Sequence, residues 1–419
     1  MKLAAPQFAA AQAALAAVLP LAQPADVVLS RYFRAHPKLG QHDRAFIAEA
    51  VFGVLHRRFG LEFSTGASTP RQLLLAWLNR VGGVSLRQLD PLLEAGEAQW
   101  LAERKAAPEA PPLDVSAELP AWLVAQLAAD MPADEILALG RALAEPAPLD
   151  LRVNPLLASR DKVIAQLSAD GIAARATPYS PLGVRVDGRP ALNRHALFTS
   201  GAVEVQDEGS QLLCYLVAPK RREMVVDFCA GAGGKTLLLG ALMHSQGRLY
   251  AFDVSEARLA KLKPRLRRSG LSNVHPQLLS GENDTRVKRL AGKIDRVLID
   301  APCSGFGTLR RNPDLKWRQG EAGIAGLAAK QGAIVSAAAT LVKPGGRLVY
   351  ATCSFLRAEN QDVVGAFLTA HPGFVLVPAN EALAQQKIAL DTGEFLQLYP
   401  HRHGCDGFFA AVMERRGQS

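Results

Sequence analysis

Six short apolar runs, separated by stretches of helical periodicity, dominate the second half of this chain. They are MVVDF from Met224, RLYAFD from Arg248, VHPQLL from Val274, DRVLID from Asp295, RLVYAT from Arg347 and FFAAVME from Phe408. Runs this apolar need cover on both faces, which helices supply when they connect parallel strands. Residues 206–419 are therefore predicted to form an α/β domain with a doubly wound, mostly parallel sheet. In open sheets of this kind ligands and chemistry gather at the carboxyl ends of the strands, so the residues that end each run carry the most information.

Two of those ends hold a thiol: Asp300-Ala-Pro-Cys303-Ser-Gly and Tyr350-Ala-Thr-Cys353-Ser. Two cysteines brought to one edge suggest a nucleophile and a helper acting on one substrate. The spacing alone leaves open which of them attacks. Small buried thiols are the bland alternative, and it fits one such motif better than two.

A third end, Met224 to Thr236, reads as strand, glycine-rich turn and helix. It fails the Walker A pattern, because Cys229 stands where the first glycine is needed. It also fails the dinucleotide pattern, because Thr236 replaces the last glycine. A nucleoside-binding turn remains, formed by Cys229, Ala230, Gly231, Ala232, Gly233, Gly234 and Lys235, in which glycines allow close backbone approach. Asp253 ends the next strand, where an acid accepts ribose hydroxyls. A turn without a phosphate grip, followed by a ribose acid, suits S-adenosylmethionine.

The first 103 residues read as all-helical, with Phe46, Ile47, Ala50, Val51, Val54 and Leu55 on one face. The Ala-rich start through Leu21 is broken by Pro6, Gln7 and Gln12 and reads as an amphipathic helix rather than a signal peptide. Residues 104–118, with three prolines, read as a linker or exposed loop. A small α+β module is expected over 119–205 and the catalytic domain over 206–419. Lys and Arg number 48 against 39 Asp and Glu, a net charge of +9, which favours a polyanionic partner. Five scattered cysteines without a C-x-x-C pair argue against a disulfide framework or a zinc site and fit a reducing cytoplasm. No run of 18 apolar residues points to a membrane span.

The motifs DFCAGAGGKT, DAPCSGFGTLRRNPDLKW and YATCSFLRAENQDVV, with Asp253, resemble in order and spacing the RNA cytosine-5 methyltransferases of the Sun (Fmu) type. VQDEGSQL at Val205 and PHRHGCDGFF at Pro400 resemble its flanking motifs. The helical region is similar, more weakly, to a NusB-like RNA-binding domain. The resemblance implies a seven-stranded methyltransferase sheet preceded by two RNA-binding modules. It implies S-adenosylmethionine as donor, with RNA, 16S ribosomal RNA foremost, as partner. A monomer with no metal and no membrane partner is expected. A ribosome-assembly factor that keeps the fold without catalysis is the alternative, disfavoured by the retained cysteines. A nicotinamide dehydrogenase is disfavoured by the failed dinucleotide pattern.

By that resemblance Cys353 is the nucleophile, Cys303 assists release, Asp300 serves the cytosine N3 edge and Lys235 pairs with a carboxylate or orients the base. DNA cytosine-5 methyltransferases use the cysteine of a Pro-Cys motif instead, so Thr-Cys-Ser points to RNA. Asp284 aligns with the acid at the adenine edge, Asn283 standing where the family has glycine, with Glu282 as competitor. Asp300 also borders the donor. The basic stretch Arg310 to Arg318 is expected to grip phosphates, with Trp317 near the pocket mouth. Arg258 to Arg268 is expected to be a solvated helix face. His401 and Asp406 are expected to close the pocket.

Overall fold

The alternation of apolar residues within the strands decides how the catalytic sheet is covered. Val225, Leu298, Val349 and Ala351 pack into one core on one face, with the helices Glu208–Val217 and Gly234–Leu242. Val226, Val297, Ile299, Leu348 and Tyr350 pack into a second core on the other, with helices Glu321–Ala339 and Gln361–Ala370. Both faces are thus apolar, which is why the runs look nearly continuous in sequence.

The computed structural model describes residues 4–103, 110–188 and 190–417. The chain divides into two compact units, residues 1–146 with 308–321, and residues 147–307 with 322–419. The stretch 119–205 is distributed over both.

The second unit contains a four-stranded antiparallel sheet and the catalytic sheet. The small sheet is β1 (Leu149–Val153), β2 (Ala174–Ala176), β3 (Gly183–Val186) and β4 (Val203–Val205), in the order β2-β3-β1-β4. The catalytic sheet uses β5 (Met224–Asp227), β6 (Arg248–Asp253), β7 (Val274–Leu278), β8 (Ile294–Asp300), β9 (Val342–Thr352), β10 (Phe374–Val377), β11 (Leu396–Leu398) and β12 (Phe408–Arg415). Its order is β10-β12-β9-β8-β5-β6-β7, with β11 added beside β12. The strands β5 to β9 pair in parallel, and only β12 and its partners pair antiparallel. The seven-stranded expectation holds, with β11 as an extra short edge. The strand order reverses between β5 and β8, so the crevice for a ligand opens there.

The helix Glu321–Ala339 is 19 residues long and, by length and composition alone, apolar enough to cross a membrane. It packs Ile334, Val335, Ala338 and Ala339 onto the sheet, which is the place of a covering helix.

In the first unit the helix Gln41–Thr65 buries the face read from sequence, and Leu73, Leu74 and Trp77 of Pro70–Arg80 pack against it. The long helix kinks at Arg57, whose φ is −116°. The carboxylate of Glu118 accepts the amides of Phe59 and Gly60 just beyond the kink, each at 3.0 Å. This departs from the reading of 104–118 as a linker or exposed loop only at its end, since residues 110–112 are exposed. Residues 104–109 lie outside the described residues, but Leu113–Ser116 is a helical turn and Ala117, Glu118 and Leu119 are buried. The amides beyond the kink supply the reason a carboxylate is buried there.

Candidate active site

The glycine turn between β5 and the helix Gly234–Leu242 is built from two left-handed residues, Gly231 at φ 56° and Gly233 at φ 82°. Such angles favour glycine. A Cβ on Gly233 would stand 2.1 Å from Leu262 Cδ1, whereas one on Gly231 would meet nothing within 4 Å. The turn is thus packed on one side and open on the other. Asp253, at the end of β6, accepts Gly231 N at 2.8 Å and Ser255 N at 2.7 Å, so the acid is locked to the turn it serves.

Three strand ends bring three carboxylates together: Asp227 from β5, Asp253 from β6 and Asp300 from β8. Lys235 Nζ donates to Asp300 Oδ2 at 2.6 Å and lies 5.6 Å from the centre of the Phe408 ring. Burial works to lower the Lys235 pKa, but the charge of Asp300 and its hydrogen bond outweigh it and hold the ammonium above its ordinary value. Asp227 is buried; Thr236 Oγ1 donates to its Oδ2 at 2.6 Å and its Oδ1 has no partner. Burial first, then the charge of Asp300, pushes its carboxyl up to about 7. Carboxylates in excess of lysine make this a site for a cation. Burial also raises the Cys229 thiol, which therefore sits in the turn as a neutral wall.

The two cysteines meet as the strand ends predict. Cys353 directly follows β9, Cys303 follows β8, and their sulfurs are 3.3 Å apart. Cys353 N also donates to Cys303 Sγ at 3.3 Å. The Cys303 pKa is raised well above the ordinary thiol value, first by its hydrogen bond with Cys353 and then by burial. Around them the backbone is stacked closely: Gly307 N donates to Cys353 O and Gly407 N to Gly307 O, both at 2.8 Å. The PHRHGCDGF loop therefore reaches the cysteines through its main chain. The Asp406 amide donates to the carboxylate of Asp207 at 3.1 Å, and His401 lies 5.7 Å from the Tyr399 ring.

Other expected residues carry contacts of their own. Asp284 caps the helix Thr285–Arg289: its carboxylate accepts Ser280 N at 2.9 Å, Ser280 Oγ at 3.0 Å and Arg286 N at 2.8 Å. These bonds, led by that from Ser280 N, hold it down at about 2. Glu282 is half-buried beside it. In Arg258 to Arg268 the face is only partly solvated, since Arg265 and Arg268 pair with Glu204 at 2.9 and 2.6 Å. The phosphate-gripping role expected for Arg310 to Arg318 loses Arg310 and Lys316, which are buried, while Arg318 stays exposed. Residues 308–321 belong to the helical unit, where Lys316 is 2% exposed and donates to His56 O at 3.1 Å. Trp317 stacks on Phe59 at 5.2 Å, and Arg310 is buried. A buried lysine with an aromatic neighbour in the core cannot present itself to phosphate.

Three polar residues of the site carry no role in the sequence reading: Asp227, Arg152 and Glu359. Asp227 lies in the DFCAGAGGKT motif and its place at a strand end was the available signal. Arg152 sits in β1, far from the motif in sequence, and gave none. Glu359 lies in a polar run, LRAENQD, whose composition resembles an exposed loop.

Residues 214–414 match the family model of the 16S rRNA methyltransferase RsmB/F, and residues 119–193 match that of the RsmF/B-like ferredoxin-like domain. A probable ribosomal RNA small subunit methyltransferase B from Synechocystis is 32% identical, over 93% of this chain and 95% of its own length. The crystal structure of PH0851 has a TM-score of 0.79 at 25% identity, covering 99% of this chain and 100% of that one. NSun6 from Pyrococcus horikoshii, solved with SFG, shares the fold with a TM-score of 0.62 at 21% identity, over 71% of this chain and 99% of its own. The chain belongs to the RsmB/F family of ribosomal RNA methyltransferases.

Proposed function

We propose that the protein methylates C5 of a cytosine in small-subunit ribosomal RNA, through a temporary bond between Cys353 Sγ and C6 of the base. The observation that carries this reading is the pair of sulfurs 3.3 Å apart at adjacent strand ends. Cytosine C5 is too weak a nucleophile to take a methyl group unaided. Addition of a thiolate at C6 turns the ring into an enamine, and cysteine is the side chain suited to that addition near neutral pH.

S-adenosylmethionine, when bound, would supply the electrophilic methyl group. The residues present fit it: Asp253 accepts at the ribose, the turn Cys229 to Lys235 admits close approach, and Asp227 and Asp300 favour its positive charge. Asp284, fixed by its cap bonds, is assigned to the adenine edge, with Glu282 as the competing acid.

The thiols divide the work by order. Cys303 holds its proton while Cys353 is free beside it. Once Cys353 has bonded to C6, the contact that most raises Cys303 is weakened, and Cys303 gives up its proton more readily than before. It then assists loss of the C5 proton, and the electrons of that bond restore the ring as the Cys353–C6 bond breaks. Asp300, charged beside Lys235, stabilises a proton at N3 during the addition.

Cys303→Ala should accumulate a protein–RNA adduct that survives denaturant, and Cys353→Ala should form none. The reverse pattern, or no adduct from either variant, would refute the assignment. Bisulfite sequencing of ribosomal RNA from cells with and without the protein locates the modified cytosine.

A further inference from the structure

Between the two cysteine loops lies a carboxylate that the reaction above leaves without a part. Glu359 belongs to the short turn Arg357–Glu359, is fully buried, and fills both oxygens with donors. Its Oε1 accepts Ser304 N at 2.8 Å and Gln331 Nε2 at 3.0 Å. Its Oε2 accepts Ser304 Oγ at 2.6 Å and Ser354 Oγ. The two hydroxyls are 3.0 Å from one another. Ser304 and Ser354 directly follow Cys303 and Cys353, so one acid grips both loops at the same offset from each thiol.

Burying a carboxylate is costly, and four donors are needed to offset it. An apolar side chain would pack the turn at lower cost but would not tie the loops together. We propose that Glu359 is a positioning residue, which sets the separation of the two reacting thiols by binding the serine beside each. The inference rests on the two-thiol reaction proposed above. Lateral freedom of either loop would open the sulfur–sulfur contact, because each cysteine is one residue from the clamp. The Glu359 charge also adds to the effects that keep Cys303 protonated.

Two measurements decide it. In Cys353→Ala protein, Cys303 is alkylated with iodoacetamide across a pH series and followed peptide by peptide in mass spectrometry. Adding Glu359→Gln should move that profile to lower pH, since a negative charge has been removed; a side chain that only fills space would leave the profile in place. In the otherwise native chain, Glu359→Gln and Ser354→Ala should slow single-turnover methylation by about 10–100-fold, the scale of one hydrogen bond to a charged group. Affinity for S-adenosylmethionine in calorimetry should stay at the wild-type value. If the Gln variant does not fold, Ser354→Ala decides the matter through the rate. An unmoved alkylation profile with wild-type single-turnover rates overturns the role of Glu359. Absence of 5-methylcytosine after incubation with wild-type protein overturns the reaction instead, and the alkylation profile still judges Glu359.

Discussion

Replacing Asp227 with Asn should abolish a pH dependence built into the catalytic unit. The Asp227 carboxyl is pushed from the ordinary 3.8 up to about 7 by burial, with the charge of Asp300 adding to it and Thr236 and Lys235 opposing. Its folded pKa thus lies above its unfolded one, and the native state holds an extra proton between the two values. Stability contributed by that proton is complete below about pH 4 and is lost as pH rises through about 7. At about 1.4 kcal/mol per pH unit the full loss is roughly 4 kcal/mol, a large part of a domain's stability. Asparagine has the same shape, accepts from Thr236 and never ionises. Between pH 5 and pH 7 the variant should therefore gain about 2–3 kcal/mol on the wild type. Tryptophan fluorescence is blind to this, because all four tryptophans, Trp77, Trp100, Trp122 and Trp317, lie in the helical unit. Hydrogen exchange at the amides of β5 and β6 reads the right unit. Parallel stability curves for the two proteins would show that burial does not govern this carboxyl, and the reasoning would fail. The same group gives a binding signature: a cationic donor favours ionised Asp227, so binding near pH 6 should release a proton in the wild type and none in the variant.

Asp253→Ala should weaken S-adenosylmethionine binding by roughly 1.5–3 kcal/mol and leave RNA affinity unchanged; an unaltered donor affinity in calorimetry rules the ribose role out. Gly307→Ala places a Cβ 2.1 Å from Gly407 O and 2.9 Å from Cys353 O, so about 1–3 kcal/mol of stability should be lost along with methylation. Wild-type melting and rate in that variant would refute the close stack. Burial lowers the Lys316 pKa from 10.5 to about 8, against the pull of Glu118. The unfolded chain binds the extra proton between those values, so stability of the helical unit should rise across that window. Tryptophan fluorescence in urea reads it, and a slope retained in Lys316→Met would assign it to another group.

The parts of the fold that sequence revealed share a physical cause. β5, β6, β8 and β9 are apolar on both faces because helices cover both, and their ends carry residues whose chemistry is hard to mistake for packing. β10 and β11 escaped notice because a strand of three or four residues at a sheet edge leaves too little alternation to register. Within Arg310 to Arg318 the buried Lys316 misled, because lysine, arginine and tryptophan together look like a surface for phosphate. The residues that meet Lys316 and Trp317, namely His56, Phe59 and Glu118, are distant in sequence, and local composition does not contain them. Glu118 was hidden in the same way: its burial depends on a kink at Arg57, which the helical periodicity of residues 41–65 passes over. Asp284 was the opposite case, since an acid directly before Thr-Arg-Val is a helix cap by local pattern alone.

The small antiparallel sheet bears on the glycine turn more directly than its sequence suggested. Arg152 of β1 is buried and donates to Gly234 O and to Gln206 Oε1. Burial lowers its pKa to about 10, which still leaves it charged at neutral pH. Arg265 donates to Ala232 O at 2.7 Å and is itself held by Glu204 of β4 at 2.9 Å. Two guanidiniums, one from the small sheet and one anchored to it, thus pin two carbonyls of the turn. A trans peptide is planar, so pinning the Gly234 carbonyl also fixes the direction of the Lys235 amide behind it. The turn is left-handed at two glycines and would gain conformations readily if those carbonyls were released. Arg152→Met should therefore weaken donor binding without replacing any residue assigned to the donor, and it should raise hydrogen exchange at Gly233 to Lys235 first. Donor affinity and exchange both at wild-type values would show that the turn holds its shape unaided.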